Sequence, residues 1–246
     1  MKQLIGFLLI VTCSSTAFSQ HAKHVQPTPT ASQLAWHQME YYWFFHFGPN
    51  TFTGKEWGHG DEKAEVFNPG RLDCRQWCRI AKAAGAKGVI ITAKHHDGFC
   101  LWPSKFSTHT IRESKWRNGK GDILKELSQA CKEYGLKFGV YLSPWDRNHP
   151  AYGTEKYNDI FISMMKEIFT NYGPIWEFWW DGANGEGPNG KKQVYDFKRF
   201  EDFVKKTSPQ TVVFSDIGPG CRWVGNENGF AGTTNWNYLD TAGFTR

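Results

Sequence analysis

Residues 88–98 read GVIITAKHHDG. A glycine opens an apolar, largely β-branched run in which Thr92 is the one hydroxyl, and this gives way at once to a lysine, two histidines, an aspartate and a second glycine. A strand with one wet face alternates polar and apolar residues; a continuous apolar run is what a strand buried on both faces needs. Parallel strands covered by helices are buried in that way. Polar side chains gathered at the exit of such a strand mark the end where a site is built.

The same unit recurs along the chain. Residues 41–47 read as a strand ending at His46-Phe47-Gly48. Residues 73–84 carry Trp77, Cys78, Ala81 and Ala84 near one helical face, with Gly85 as a stop. After the quoted strand, 123–134 places Leu124, Leu127, Cys131 and Tyr134 at helical spacing and ends at Gly135. Strand 138–142 leads into Ser143-Pro144-Trp145-Asp146, and helix 157–172 stops at Gly173-Pro174. Strand 175–180, IWEFWW, leads to Asp181; a polar loop GANGEGPNGKK and a helix over 194–206 follow; strand 211–214 leads to Ser215-Asp216.

Strand-then-helix alternation predicts an α/β fold with a parallel sheet. A doubly wound sheet and a barrel both satisfy it. No G-x-G-x-x-G follows the first strand and no P-loop occurs, which counts against the nucleotide-binding wound sheets. Instead, His46, His95, His96, Tyr141, Asp181 and Asp216 stand at successive strand exits, the distribution a barrel provides. The expectation is a (β/α)8-like TIM barrel, incomplete at its C-terminus: five strands are counted by residue 216, and 217–246 hold about one more.

The chain has 246 residues with 12 Trp, 19 Phe and 9 Tyr, enough for a sizeable core. Its formal charge of +5 comes from interspersed charges, with no basic block to favour a nucleic acid. Residues 1–19 have a lysine start, an apolar run and an Ala17-Phe18-Ser19 cleavage pattern, as a secretory signal does. Residues 20–34, with Pro27 and Pro29, are expected to be a flexible lead into a catalytic domain over 35–246. An exported protein, periplasmic or extracellular, follows; anchoring through Cys13 as a lipoprotein is the less favoured alternative, because Thr12 precedes it. No later segment is apolar for long enough to span a bilayer, and nothing sets an oligomeric state. Cys74, Cys78, Cys100, Cys131 and Cys221 remain after the signal, an odd number without CxxC spacing.

His95-His96-Asp97 offers a metal reading, but adjacent histidines on an extended backbone point apart, and sugar hydroxyls need no such convergence. Glu56-Trp57 pairs a hydroxyl acceptor with a flat apolar ring, which suits a carbohydrate. Asp181 before a glycine is either an ordinary turn or one acid of a glycosidase pair, for which Asp146, Glu186, Asp216 and Glu227 are candidate partners. Glu227 lies 46 positions on (227 − 181), about one turn of the strand–helix repeat, so a barrel would put both acids on one rim.

The stretches FFHFG at 44–48, EW at 56–57, FNP at 67–69, AKAAGAKGVIITAKHHDGFCLWPS at 81–104 and WWDG at 179–182 resemble the α-L-fucosidases that form one retaining glycoside hydrolase family. The resemblance runs from about residue 35 to the end and implies a (β/α)8-like barrel, often irregular, followed by a β-sandwich. It implies Asp181 as nucleophile, with His46, His95, His96 and Tyr141 on fucose hydroxyls, Glu56 and Trp57 beside the pocket, and no metal or cofactor. The segment RWVGNENG at 222–229 resembles the branch selective for α-1,3/1,4-linked fucose, which implies Glu227 as acid/base and Trp236 beside the sugar. The implied activity is release of terminal α-L-fucose from oligosaccharides or glycoconjugates. The alternatives are a secreted fucose-binding protein without turnover, or another hydrolase on a similar barrel such as a galactosidase or hexosaminidase.

Overall fold

The computed structural model describes residues 28–216 and 220–223. Among these residues six parallel strands form one sheet in strictly sequential order. They are β1 (Trp43–Phe45), β2 (Gly88–Lys94), β3 (Lys137–Leu142), β4 (Glu177–Trp180), β5 (Val212–Ser215) and β6 (Cys221–Arg222). Among the described residues six α-helices accompany them: α1 (Ala31–Met39), α2 (Asn50–Thr53), α3 (Cys74–Ala83), α4 (Ile123–Tyr134), α5 (Glu155–Asn171) and α6 (Phe197–Thr207). The quoted strand is buried along its whole length.

Which face each side chain takes decides the architecture. Val89, Ile91 and Ala93 of β2, Phe138, Val140 and Leu142 of β3, Phe178 and Trp180 of β4, and Val213 of β5 share one core. Into it pack Cys78 and Ala81 from α3, Leu124 and Leu127 from α4, Phe161 and Met165 from α5, and Phe200 and Val204 from α6. The register puts these layers side by side, Val89 against Phe138 and then Val140 against Phe178. All four long crossover helices therefore cover one face. A wound sheet would send them to both faces and reverse its strand order. Sequential order with one-sided cover is the (β/α)8-like TIM barrel, of which the described residues supply six strands. Burying a Phe178 or a Leu127 is worth about 1.5–3 kcal/mol each.

Local chemistry sets the ends. Asp73, Asp122 and Asp196 cap α3, α4 and α6 by accepting backbone N–H bonds. Gly135 ends α4 at φ +62, a left-handed conformation open to glycine. Helix α1 starts inside the segment expected to be flexible. Thr30 and Gln33 form a reciprocal capping box, and Trp36 donates to the buried Glu177 at 2.5 Å, so a tertiary contact orders residues whose own pattern is weak. Strand β1 is shorter than the run 41–47, and only residues 216–220 separate β5 from β6.

The opposite face lines the barrel. Phe44, Ile90, Tyr141, Trp179 and Phe214 alternate with the outward residues. Phe44 meets Trp179 edge-on at 5.0 Å, and Trp179 lies 4.2 Å from Phe214. No helix among the described residues is long and apolar enough to cross a membrane.

Candidate active site

Two more steps along the inward positions of β3 and β4 bring Ser143 and Asp181 to the strand exits. Asp181 accepts from the Tyr141 hydroxyl at 2.6 Å and from the Ala183 amide at 2.7 Å. One carboxylate oxygen is thus held by a neighbouring strand and the other by its own loop, while the side chain keeps 29% of its surface open. Burial, and then the Asp181 charge, push the Tyr141 phenol well above its ordinary range, so it stays a donor. Gly182 explains the residue after the acid: a Cβ there would lie 2.0 Å from the Asp216 carboxylate, so only glycine lets the β4 and β5 exits approach.

The two histidines do not point apart. Strand β2 ends at Lys94 with a register shift, and a turn begins at His96, so the rings lie 4.0 Å apart on one side. The extended geometry that would separate them stops one residue too early. His96 Nε2 faces Asp181 across 4.0 Å, and its Nδ1 meets Ser143 Oγ at 2.8 Å. Burial and then the neighbouring His96 push His95 to about 2; burial and then Lys94 push His96 to about 3. Both are neutral at physiological pH. His46, at the β1 exit, sits edge-on to His95 at 4.7 Å, and burial lowers it too. Trp57 is 48% exposed and stands edge-on to His96 and to Trp145, with Glu56 exposed beside it. Arg147 and Asn148 pin this loop by donating to the Gly58 and Gly60 carbonyls, both at 2.7 Å.

His46, His95, His96, Tyr141 and Asp181 are therefore brought together at one mouth, with Trp57 on its rim. Glu227 and Trp236 lie outside the described residues. Of the other acids weighed as partners, Asp146 is taken: it is 1% exposed, 3.2 Å from the Lys94 ammonium, and accepts from Tyr157 and the amides of Asn148 and His149. Burial alone would raise its carboxyl, but Lys94 and those amides hold it below the ordinary value. Asp97 is also committed, accepting from the Phe99 amide and from Asn50, and burial raises it to about 6. Glu186 is exposed. Among the described residues no group of three or more His, Cys, Asp or Glu could hold a metal ion.

The model of the alpha-L-fucosidase family matches residues 16–240, nearly the whole chain. The chain belongs to the α-L-fucosidase family. Alpha-L-fucosidase 1 of Arabidopsis thaliana is 46% identical over 231 residues, covering 94% of this chain and 45% of that protein. A putative α-L-fucosidase from Bacteroides ovatus, solved by crystallography, is 55% identical with a TM-score of 0.81, covering 85% of this chain and 36% of the other. A glycoside hydrolase 29 fucosidase from Ruminococcus gnavus, solved in complex with fucose, is 34% identical with a TM-score of 0.73, covering 85% and 47%. The chain spans under half the length of these relatives.

Three features of the structure are hidden or only half visible in the sequence. The Lys94–Asp146 ion pair is half visible there, since a lysine among apolar strand residues needs a buried partner. Ser143 reads as a turn residue before a proline. Glu177 sits in an aromatic run and passes for part of it.

Proposed function

We propose that the chain carries the catalytic site of a retaining exo-α-L-fucosidase, releasing terminal α-L-fucose by double displacement. The observation that carries this reading is an oriented carboxylate, Asp181, held by Tyr141 at 2.6 Å beneath a rim of neutral histidines. A carboxylate fixed by two donors, with one side open, is built to attack. Neutral imidazoles accept from and donate to sugar hydroxyls without competing for the carboxylate as cations. Phe44 and Trp179, stacked edge-on below, offer an apolar floor to the C6 methyl.

In the first step an Asp181 oxygen bonds to the anomeric carbon while the glycosidic C–O bond breaks, and Glu227 gives its proton to the leaving oxygen. In the second, Glu227 takes a proton from water, the water oxygen bonds to the anomeric carbon, and the Asp181 ester bond breaks. Glu227, in 222–229, also supports the finer reading of α-1,3/1,4 selectivity, and the opening signal-like segment supports export to the periplasm or cell exterior.

The test uses the full-length protein and an aryl α-L-fucoside, with proton NMR of the first-formed sugar. Retained configuration is expected, and Asp181→Ala should lose turnover while keeping fucose binding. Inverted product, or full-rate hydrolysis by Asp181→Ala, overturns the assignment. Fucose binding with no wild-type turnover on aryl, α-1,3- or α-1,4-fucosides would leave the binding-protein alternative in its place.

A further inference from the structure

His96 Nδ1 lies 2.8 Å from Ser143 Oγ, and Ser143 Oγ lies 2.9 Å from the Trp145 carbonyl oxygen. Both side chains are buried. A carbonyl oxygen has no proton to give, so the proton in the 2.9 Å contact is the serine's, and it has only one. The 2.8 Å contact must then take its proton from the imidazole, on Nδ1. A ring this buried and this near Lys94 is neutral and carries a single N–H. Its Nε2 is therefore bare. The opposite arrangement, with Ser143 donating to Nδ1, would set two oxygen lone pairs against each other at 2.9 Å in a buried site. The Trp145 carbonyl is itself fixed, since Lys94 Nζ reaches it at 3.3 Å while paired with Asp146.

We propose that Ser143 is a positioning residue: it locks His96 in the Nδ1–H tautomer and so presents Nε2 to the sugar as a pure hydrogen-bond acceptor. Nε2 and Asp181 Oδ2 are then two acceptors facing across 4.0 Å. Only a donor fits between them. A sugar hydroxyl beside the attacked carbon supplies one; a methyl ether or a fluoride in its place would put three acceptors together. The inference deepens the fucosidase reading and, for its kinetic consequence, rests on it. It makes the free hydroxyl at that position a condition of recognition, and it traces the condition through Ser143 and Trp145 to a buried ion pair.

The test reads the tautomer directly. Full-length protein with 15N-labelled histidine, at pH 7 and without sugar, is examined by two-bond 1H–15N correlation, and His96 is assigned by its loss in His96→Gln. The expected pattern is Nδ1 protonated and Nε2 bare, lost or mixed in Ser143→Ala and restored in Ser143→Thr, which keeps the hydroxyl. With an aryl α-L-fucoside, Ser143→Ala should lose about tenfold or more in kcat/KM, and Ser143→Thr should recover most of it. An Nε2-protonated His96 in the wild type, or an unchanged tautomer in Ser143→Ala, overturns the proposal. Because the spectrum needs no substrate, a wild type that fails to hydrolyse fucosides would sink the functional reading and leave the tautomer result to stand or fall separately.

Discussion

Glu177 is an acid inside the barrel with no solvent exposure, and replacing it with glutamine should make the protein more stable at neutral pH. Its carboxyl is raised from 4.5 to about 7, first by burial and then only partly offset by the Trp36 indole and the Tyr42 phenol. The unfolded chain releases this proton near pH 4.5, whereas the folded chain keeps it to about pH 7. Between those values the native state binds more protons than the unfolded state, so stability falls as pH rises and is level above the window. The gap from 4.5 to about 7, at about 1.4 kcal/mol per pH unit, gives a loss of ~3 kcal/mol. A glutamine in its place has no such proton, and its carbonyl oxygen can still accept from Trp36. Urea unfolding followed by tryptophan fluorescence, from pH 4 to 8.5, measures the difference. The two proteins should be nearly equal below pH 4.5, and Glu177→Gln should lead by about 2–3 kcal/mol at pH 8. A difference that does not change with pH, or a wild type that is the more stable at pH 8, would refute the reasoning.

Other consequences can be checked separately. Tyr141→Phe removes the 2.6 Å donor to Asp181 and should cost about 10- to 100-fold in kcat on an aryl fucoside with little change in melting temperature; unaltered kcat would deny that donor a part. Lys94→Met leaves Asp146 charged and buried, and should destabilise by about 3–5 kcal/mol, whereas Lys94→Met with Asp146→Leu should recover part of the loss; equal single and double losses in denaturant would contradict the pairing. Gly182→Ala should lower kcat more than it lowers stability, because its Cβ meets the Asp216 carboxylate at 2.0 Å next to Asp181. His95 and His96 should show no titration in NMR between pH 5 and 9, since burial places them at about 2 and about 3; a midpoint near 6.5 would mean that water reaches them.

The parts of the fold legible in the chain are those whose pattern and packing say the same thing. The run 88–94 reads as a strand because helices cover its outer side and barrel residues its inner side, which leaves no position for a polar residue before Lys94 other than the small Thr92. Helix α4 reads clearly because its aspartate cap, its spaced leucines and its closing glycine agree. Helix α1 is not legible, since its order depends on Trp36 reaching a glutamate 141 residues away. The strand exits mark the site in outline, and Tyr141, Asp181 and the three histidines do converge. Their relative orientation is not legible. One irregular step after Thr92 turns His95 and His96 to the same side, and periodicity carries no sign of such a step. Ser143 is hidden for another reason: its part depends on where one proton sits, which follows from the contacts made by residues 96, 143 and 145.

Helix α1 has a bearing on how the barrel is assembled. Its Gln33 donates to the Gly220 carbonyl beside β6, across 187 residues, and its Trp36 reaches β4 and touches Phe214 of β5. The first helix thus acts as a latch that is fully engaged only after nearly the last described residue has been made. A growing chain can pair β1 with β2 and β2 with β3 as each appears, but the lower end of its barrel is not fully latched until β6 emerges. Contacts of such long range make for late and slow closure. Synthesis order would set the timing: a helix made early is among the last elements to find its place.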